Sequence, residues 1–387
     1  MNVGIIGVGM TGFGEYWDKS FKDLVVEAGS KAIKDANIEG RDIDAAFAGS
    51  MTPGMFLSQE HVGALVADYV GLAGIPATRV EGACASGGLA LQSAYQSIKS
   101  GEYDIVVAAG AEKMTDVSTG QATIALAGAS DQEWEAFHGV TFPGLYALMA
   151  QRHMIEYGTT EEQLAQVAVK NHRNGALNPY AQYRREVTVK QVLESIPIAD
   201  PLKLLDCSPI TDGAAVVILA NEEKTRRLSE NPVWIKSIAS ATDTLALHDR
   251  ESLCQTKAAA LAGKKAFMKA DLKPKDIGFA EVHDCFTIAE VMAVESLGFC
   301  EVGEGGVFTE KGETALDGSI PVNTSGGLKS KGHPVGATGI AQAVECVTQL
   351  RGLAGERQVK DNPRYGMSHN VGGSGATAVV TIYEGGA

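Results

Sequence analysis

A duplicated unit constrains a fold more than any single motif, because each copy must bury the same faces. Residues 32–50 (AIKDANIEGRDIDAAFAGS) run in step with residues 266–284 (AFMKADLKPKDIGFAEVHD), with Ala32/Ala266, Ala36/Ala270, Ile38/Leu272, Asp42/Asp276, Ile43/Ile277 and Ala46/Ala280 in register. Each copy reads as an amphipathic helix, a polar turn and a buried strand. Helical runs then begin near Gly88 and near Gly339, and each ends at a glycine equally far on, Gly101 and Gly352, where a C-cap is expected. A third echo pairs Gly213–Ile218 with Gly375–Val380. Three echoes in one order predict two halves built from one βαβ-rich domain. The first half is the longer, and its surplus is polar, helical and Tyr-rich, which reads as an insertion. The expected organisation is therefore 1–116 (completed by 205–230) for the first half, 117–204 for an inserted loop domain and 231–387 for the second half.

At 387 residues the chain exceeds what one hydrophobic core comfortably holds, which agrees with two packed halves. Lys and Arg number 33 against 47 Asp and Glu, a net charge of −14 that repels nucleic-acid phosphates and anionic membranes. Neither nucleic acid nor membrane is an expected partner, and an anionic ligand must be met by local donors. The six cysteines form no CxxC pair, which argues against a disulfide scaffold or a zinc ribbon and fits a reducing compartment. No segment reaches the ~18 unbroken apolar residues of a membrane span. The apolar start MNVGIIG lacks a signal peptide's basic flank, and the terminal EGGA is no peroxisomal address, so the expected location is the cytoplasm.

Gly7-x-Gly9-x-x-Gly12 after an apolar strand matches the dinucleotide-binding fingerprint, but its context does not. Residues Gly12–Asp18 intervene before a plausible helix start near Ser20, and the next strand ends in Gly49-Ser50-Met51 rather than at an acidic residue. The expected role is a tight structural turn.

Four turns carry groups suited to chemistry. Cys84, in Glu81-Gly82-Ala83-Cys84-Ala85-Ser86-Gly87-Gly88, precedes a helix whose N–H groups and dipole would favour a thiolate. Taken alone it reads either as a nucleophile or as inert packing. His333, in Gly332-His333-Pro334-Val335-Gly336-Ala337-Thr338-Gly339, occupies the matching turn of the second half. A pseudo-twofold would bring these two turns to one seam as a Cys–His pair. The strand 279–282 delivers His283-Asp284-Cys285-Phe286 at its end, and Ser368-His369-Asn370-Val371-Gly372-Gly373 precedes the last strand. Strand ends are where α/β folds place their sites. Asp284 reads as a cap or orienting partner, and His369 as either a site residue or a surface turn residue. Cys207, Cys254, Cys300 and Cys346 lack a comparable setting and read as packing or surface residues. Tyr180, Tyr183, Arg184 and Arg185 read as contacts to a ligand's anionic end or as a solvated face.

Together these turns resemble the thiolase family: GACASGG its nucleophile loop, GHPVGATG its histidine loop, and Asn323-Thr324-Ser325-Gly326-Gly327 the segment before it. The likeness covers the whole chain. His283-Asp284-Cys285-Phe286 and Asn370-Val371-Gly372 stand where common thiolases carry Asn-Glu-Ala-Phe and Cys-x-Gly. With Lys170-Asn171-His172-Arg173 and Asn178-Pro179, these exchanges resemble the sterol-carrier-protein type and the archaeal acetyl-CoA acetyltransferases of the mevalonate pathway. The resemblance implies a five-layered αβαβα fold with an inserted loop domain, usually a homodimer or homotetramer. It implies acetyl transfer from acetyl-CoA with Cys84 as nucleophile, His333 as its base and Cys285 as acid/base in place of the missing C-terminal Cys. It further implies oxyanion donors from the Cys84 and Gly372 main chain and from His283 and His333, substrate contacts at Ser208 and Asn370, and no cofactor or metal beyond the CoA thioesters. The archaeal likeness also implies 3-hydroxy-3-methylglutaryl-CoA synthase and a small zinc-ribbon/OB-fold protein as partners.

Overall fold

The computed structural model describes residues 2–386. Its strands are β1 (Val3–Met10), β2 (Ala45–Gly49), β3 (Ala77–Val80), β4 (Ile105–Glu112), β5 (Pro197–Ala199), β6 (Leu202–Lys203), β7 (Gly213–Asn221), β8 (Val233–Thr242), β9 (Phe279–Glu281), β10 (Tyr365–Gly372) and β11 (Thr377–Glu384). Strands β5 and β6 pair with each other, and the other nine follow the order β3-β2-β4-β7-β1-β8-β11-β10-β9. Read outward from the centre, this order mirrors itself: β1 answers β8, β7 answers β11, β4 answers β10 and β2 answers β9. Val322, bridged in parallel to Ala280, stands where β3 stands in the other half. The mirror is the structural form of the sequence echoes.

Alternation along the strands decides the layering, since successive side chains face opposite sides of a sheet. In the first half Val106, Ala108, Val217 and Leu219 face inward, onto Leu91, Ala94, Ile340, Ala341 and Val344 of the helices Ser86–Lys99 and Thr338–Leu350. Their neighbours Val107, Ala109, Ile218 and Ala220 face outward, onto Leu24, Ala28 and Ala32 of the helix Phe21–Ala36. In the second half Val379 and Tyr383 face the same central helices, while Ala378, Val380 and Ile382 meet Ala259, Ala262 and Ala266 of the helix Lys257–Ala270. The result is helix, sheet, helix, sheet, helix. Among the described residues the β1–β8 seam holds two register pairs, Gly4 with Trp234 and Ile5 with Val233, so the two sheets part around the central helices.

Local signals match between the halves. The helices Phe21–Ala36 and Lys257–Ala270 both end at a left-handed residue, Asn37 (φ 51°) and Asp271 (φ 55°), and each is followed by one 3-10 turn before its strand. Gly7 and Gly9 belong to no turn. They lie within β1, where an added Cβ would sit 2.5 Å from Ala32 O at Gly7 and 2.3 Å from Ala28 O at Gly9, so their role is close helix-to-strand packing. The segment between β4 and β7 is largely helical, and Leu145, Tyr146 and Met149 of the helix Phe142–Tyr157 pack on Cys285, Phe286 and Leu328 of the second half. Among the described residues, no helix is long and apolar enough to cross a membrane.

The two central helices start backbone against backbone. A Cβ on Gly87 would lie 2.8 Å from Gly336 O, and one on Gly339 would lie 2.3 Å from Gly88 N and 2.2 Å from Asn370 Oδ1. Only glycine fits this crossing. Gly339→Ala is accordingly expected to destabilise the protein by roughly 1–3 kcal/mol or more through overpacking, read as a lower urea midpoint. An unchanged midpoint would show that the crossing has room.

Candidate active site

The crossing sets the site. Cys84 lies in the 3-10 turn Ala83–Ala85, entered through Ala83 at φ 52°, a left-handed conformation uncommon for alanine. Ser86 pins the turn: its Oγ donates to Ala83 O at 2.6 Å and accepts from Gly82 N–H at 3.1 Å. The His333 turn is pinned by Thr211 Oγ1, which accepts the His333 N–H at 3.0 Å. Glu112, at the end of β4, ties the Gly336 N–H (3.1 Å) to the Met51 N–H (2.8 Å) and the Ser50 hydroxyl (3.1 Å), holding the second half's loop to the first.

The Cys84 sulfur and one ring nitrogen each of His283 and His333 all lie within 4.8 Å of one another. The two imidazoles meet edge to face, with centroids 5.0 Å apart. Hydrogen-bond partners assign their tautomers. Thr338 Oγ1 donates to Pro334 O at 3.0 Å and so must accept from His333 Nδ1 at 2.7 Å, which leaves Nε2 of His333 as a free base. Asn370 Oδ1 accepts the Gly88 N–H at 3.0 Å, which fixes its amide orientation; Nδ2 then donates to Cys84 O at 2.9 Å and to His283 Nδ1 at 3.3 Å. His283 therefore carries its proton on Nε2, a buried donor with no protein partner. Three such atoms could grip a cation by spacing alone, but His283 would first have to give up that proton. The arrangement provides a thiol, a base aimed at it and a separate N–H donor.

A cavity of about 310 Å³ reaches Cys84 and His333, lined also by Met114, Phe142, Tyr146, Ser208, Cys285, Phe286 and Gly373 among others; His283, expected as an oxyanion donor, is close to the Cys84 sulfur but is not part of this lining. Cys285 is 6% exposed, and its carbonyl accepts the Ser208 N–H at 2.9 Å. Asp284 points away from the cavity and caps the short helix Gly327–Lys331, accepting from Leu328 N–H (2.7 Å), Lys329 N–H (3.2 Å) and Asn171 Nδ2 (2.7 Å). Behind it Glu290 binds Lys170 at 2.9 Å, Asn171 at 2.8 Å and Asn323 at 2.7 Å, a buried network that anchors the His283–Cys285 loop from the segment between β4 and β7. A larger cleft of about 960 Å³ near Asn2, Trp234 and Arg364 lies by the starts of β1 and β8 and holds none of these groups.

The description "Thiolase, N-terminal domain" matches residues 3–223, and "Thiolase C-terminal domain-like" matches residues 239–385. The chain belongs to the thiolase family. It is 57% identical to an acetyl-CoA acetyltransferase of Methanothermobacter thermautotrophicus, covering 99% of both chains, and 49% identical to one of Methanocaldococcus jannaschii, covering 98% of both. Human sterol carrier protein 2 is 35% identical, with 98% of this chain matching 71% of that protein. Among solved structures, the Ltp2-ChsH2(DUF35) aldolase superposes with a TM-score of 0.85 at 27% identity, covering 99% of this chain and 97% of that one. Human mitochondrial 3-ketoacyl-CoA thiolase in complex with CoA superposes at 0.75 and 18% identity, over 100% and 98% of the two chains, which shows the shared fold. The protein is thus an acyltransferase of the thiolase type.

Several sequence expectations are corrected by this thiolase's structure. The dipole argument for a Cys84 thiolate does not hold: burial pushes the thiol up to about 12, outweighing the main-chain N–H groups of Gly373 and of Cys84 itself that approach the sulfur. Burial likewise lowers His333 to about 3 and holds His283 well below the usual imidazole range. Gly373, one residue past the expected Gly372, is the one that lines the cavity; Gly372 ends β10, and a Cβ there would lie 2.3 Å from Gly82 O. Asn370, expected to touch substrate, has both ends of its amide engaged in holding Cys84 and His283, and it does not line the cavity. His369 is no surface turn residue; it sits buried within β10, lowered to about 3 by burial. Cys207, read as packing or surface, lines the cavity, whereas Tyr180, Tyr183, Arg184 and Arg185 do not. Tyr183 instead stacks on His172, with centroids 6.0 Å apart. All six cysteines are free.

With a thiol raised to about 12 and an imidazole lowered to about 3, the resting pair is neutral across pH 5–9. Alkylation of Cys84 by iodoacetamide, followed on its peptide by mass spectrometry, is expected to keep rising through pH 9. A plateau reached by pH 7 would mean a preformed thiolate.

Proposed function

We propose that this thiolase catalyses the reversible Claisen condensation of two acetyl-CoA to acetoacetyl-CoA and CoA through an acetyl-Cys84 intermediate. The observation that carries the reading is the meeting of the Cys84 sulfur with His283 and His333 beside a cavity that Cys84, His333 and Cys285 line. His333 Nε2 takes the Cys84 proton as sulfur attacks the acetyl-CoA carbonyl, and the same proton leaves with the CoA thiol. Pairing proton transfer with attack avoids ever holding a bare thiolate in a dry site, and two displacements replace one difficult step. Main-chain N–H groups of Cys84 and the Gly372–Gly373 turn would hold the oxyanion, each such donor contributing roughly 3 kcal/mol where charge develops.

A second acetyl-CoA then enters with its thioester oxygen toward His283 Nε2–H and His333. Cys285, having first passed its own proton to His333, removes an α-proton as thiolate; the enolate carbon attacks the acetyl carbonyl, and the released Cys84 sulfur takes the proton back from His333, leaving acetoacetyl-CoA and both thiols restored. Thiolysis retraces the path. The Ser208 side chain, beside Cys285, would meet the pantetheine arm. Nothing in this sequence of steps calls for a metal or nicotinamide.

Feeding the mevalonate pathway is the physiological direction we infer, supported by the likeness to archaeal acetyl-CoA acetyltransferases. The likeness to an aldolase that carries a DUF35 partner supports a heteromeric assembly; in it we place 3-hydroxy-3-methylglutaryl-CoA synthase and a zinc-ribbon/OB-fold protein, which would draw an uphill condensation forward, around a homodimeric or homotetrameric thiolase in the cytoplasm. A degradative role on longer or branched chains uses the same groups, but apolar walls at Met114, Leu126, Phe142 and Phe286 around about 310 Å³ favour a short acyl group. Rates with acetoacetyl-CoA against long 3-ketoacyl-CoA separate the two.

Cys285→Ala is expected to acetylate Cys84 normally, seen as an added acetyl mass after acetyl-CoA, while losing condensation by about a thousandfold, the middle of the range for a positioned base. Cys84→Ala should lose both. Normal condensation by Cys285→Ala would remove its role as base.

A further inference from the structure

We propose that Tyr146, from the inserted segment, is a positioning residue whose hydroxyl sets the proton affinity of the Cys285 sulfur. Tyr146 is 3% exposed, lines the cavity, and lies against Phe286 with ring centroids 4.7 Å apart and planes 30° apart, so its ring is held firmly on the residue next to Cys285. Phenylalanine would provide the same stacking. A buried hydroxyl costs free energy unless it is used; this one donates to Gly373 O at 3.2 Å and stands beside Cys285 in the packed cluster and the cavity that both residues line.

One hydroxyl proton serves two acceptors in turn. While Cys285 is a thiol, Tyr146 O–H points to Gly373 O and its oxygen accepts the Cys285 S–H. Once Cys285 is a thiolate, the O–H turns to the sulfur, and hydrogen bonds to a charged group are the stronger kind. Tyr146 neither gains nor loses a proton at any point; the α-proton passes between substrate carbon and Cys285 sulfur alone. The charged and titratable neighbours act in both directions: Cys84 and Asp284 oppose ionisation of Cys285, and Arg250, fixed on Ser374 O at 2.6 Å, faces Tyr146 and favours negative charge there. Because Gly373 also sends its N–H toward the Cys84 sulfur, Tyr146 joins the surroundings of both thiols.

The role rests on Cys285 being the base, and the test separates the two ideas. In a Cys84→Ala background, the pH midpoint for alkylation of Cys285 is expected to move upward by about one unit or more when Tyr146→Phe removes the hydrogen bond. With Cys84 intact, α-hydron exchange of deuterated acetyl-CoA should fall about tenfold to hundredfold, with an unchanged urea midpoint reporting that the fold is kept. Site-specific fluorotyrosine at position 146, which keeps the shape but donates more strongly, should move the midpoint down. An unmoved midpoint in both variants would overturn the proposal and leave Tyr146 as packing. If Cys285→Ala exchanged α-hydrons at the parent rate, the base reading would fail while a shifted midpoint would still establish the Tyr146–Cys285 coupling.

Discussion

Everything in this molecule hangs on the crossing of two helix starts with almost no side chains between them. Gly87 and Gly88 on one side and Gly336 and Gly339 on the other let main chain touch main chain, and Asn370 closes the gap by bonding Gly88 N–H, Cys84 O and His283 Nδ1 at once. The residues just before each helix, Cys84 and His333, then have no choice but to face one another. Duplication supplies the twofold relation, and glycine removes the bulk that would hold the turns apart.

Such closeness requires a dry site, and dryness dictates the electrostatics. Desolvation raises both thiols and lowers both imidazoles, so the site rests uncharged and ionises only as substrate arrives. Behind the site lies one buried charge pair, Lys170 with Glu290, further bonded by Asn171 and Asn323. Removing one partner of such a pair typically costs about 3–5 kcal/mol, because the other is left uncompensated. The network therefore keeps the His283–Cys285 loop in one place rather than adding much net stability. Glu112 acts in the same way on the first half's side; its carboxyl is raised to about 7 by burial while it still accepts the Met51 and Gly336 N–H groups.

Much of this was legible in the amino-acid sequence. The echoes around Ala32/Ala266 and Gly88/Gly339 foretold the mirrored sheet order, and the four polar turns named residues that the fold brings close together: Cys84 with His283 and His333, and Cys285 in the same cavity lining as Cys84 and His333. What escaped has a common physical cause: it depends on contacts between residues far apart in the chain. Tyr146 reaches Gly373 across 227 residues, and Glu112 reaches Gly336 across 224. No local pattern marks either. The Cys84 thiolate was misjudged because the helix dipole is visible in a sequence and burial is not. Gly7 and Gly9 were misplaced in a turn because the packed helix that demands glycine there begins only at Phe21. Lys170 and Asn171 were visible as subgroup marks, but their work as a brace behind Asp284 appears only in three dimensions.

The most direct measurement is a crystal structure of the protein after brief exposure to acetyl-CoA. The account predicts an acetyl group on the Cys84 sulfur, its oxygen against the main-chain N–H groups of Cys84 and the Gly372–Gly373 turn, with a second acetyl-CoA placing its methyl by Cys285 and its thioester oxygen by His283. Acylation of Cys285 instead, or a CoA thioester bound away from both sulfurs, would contradict it.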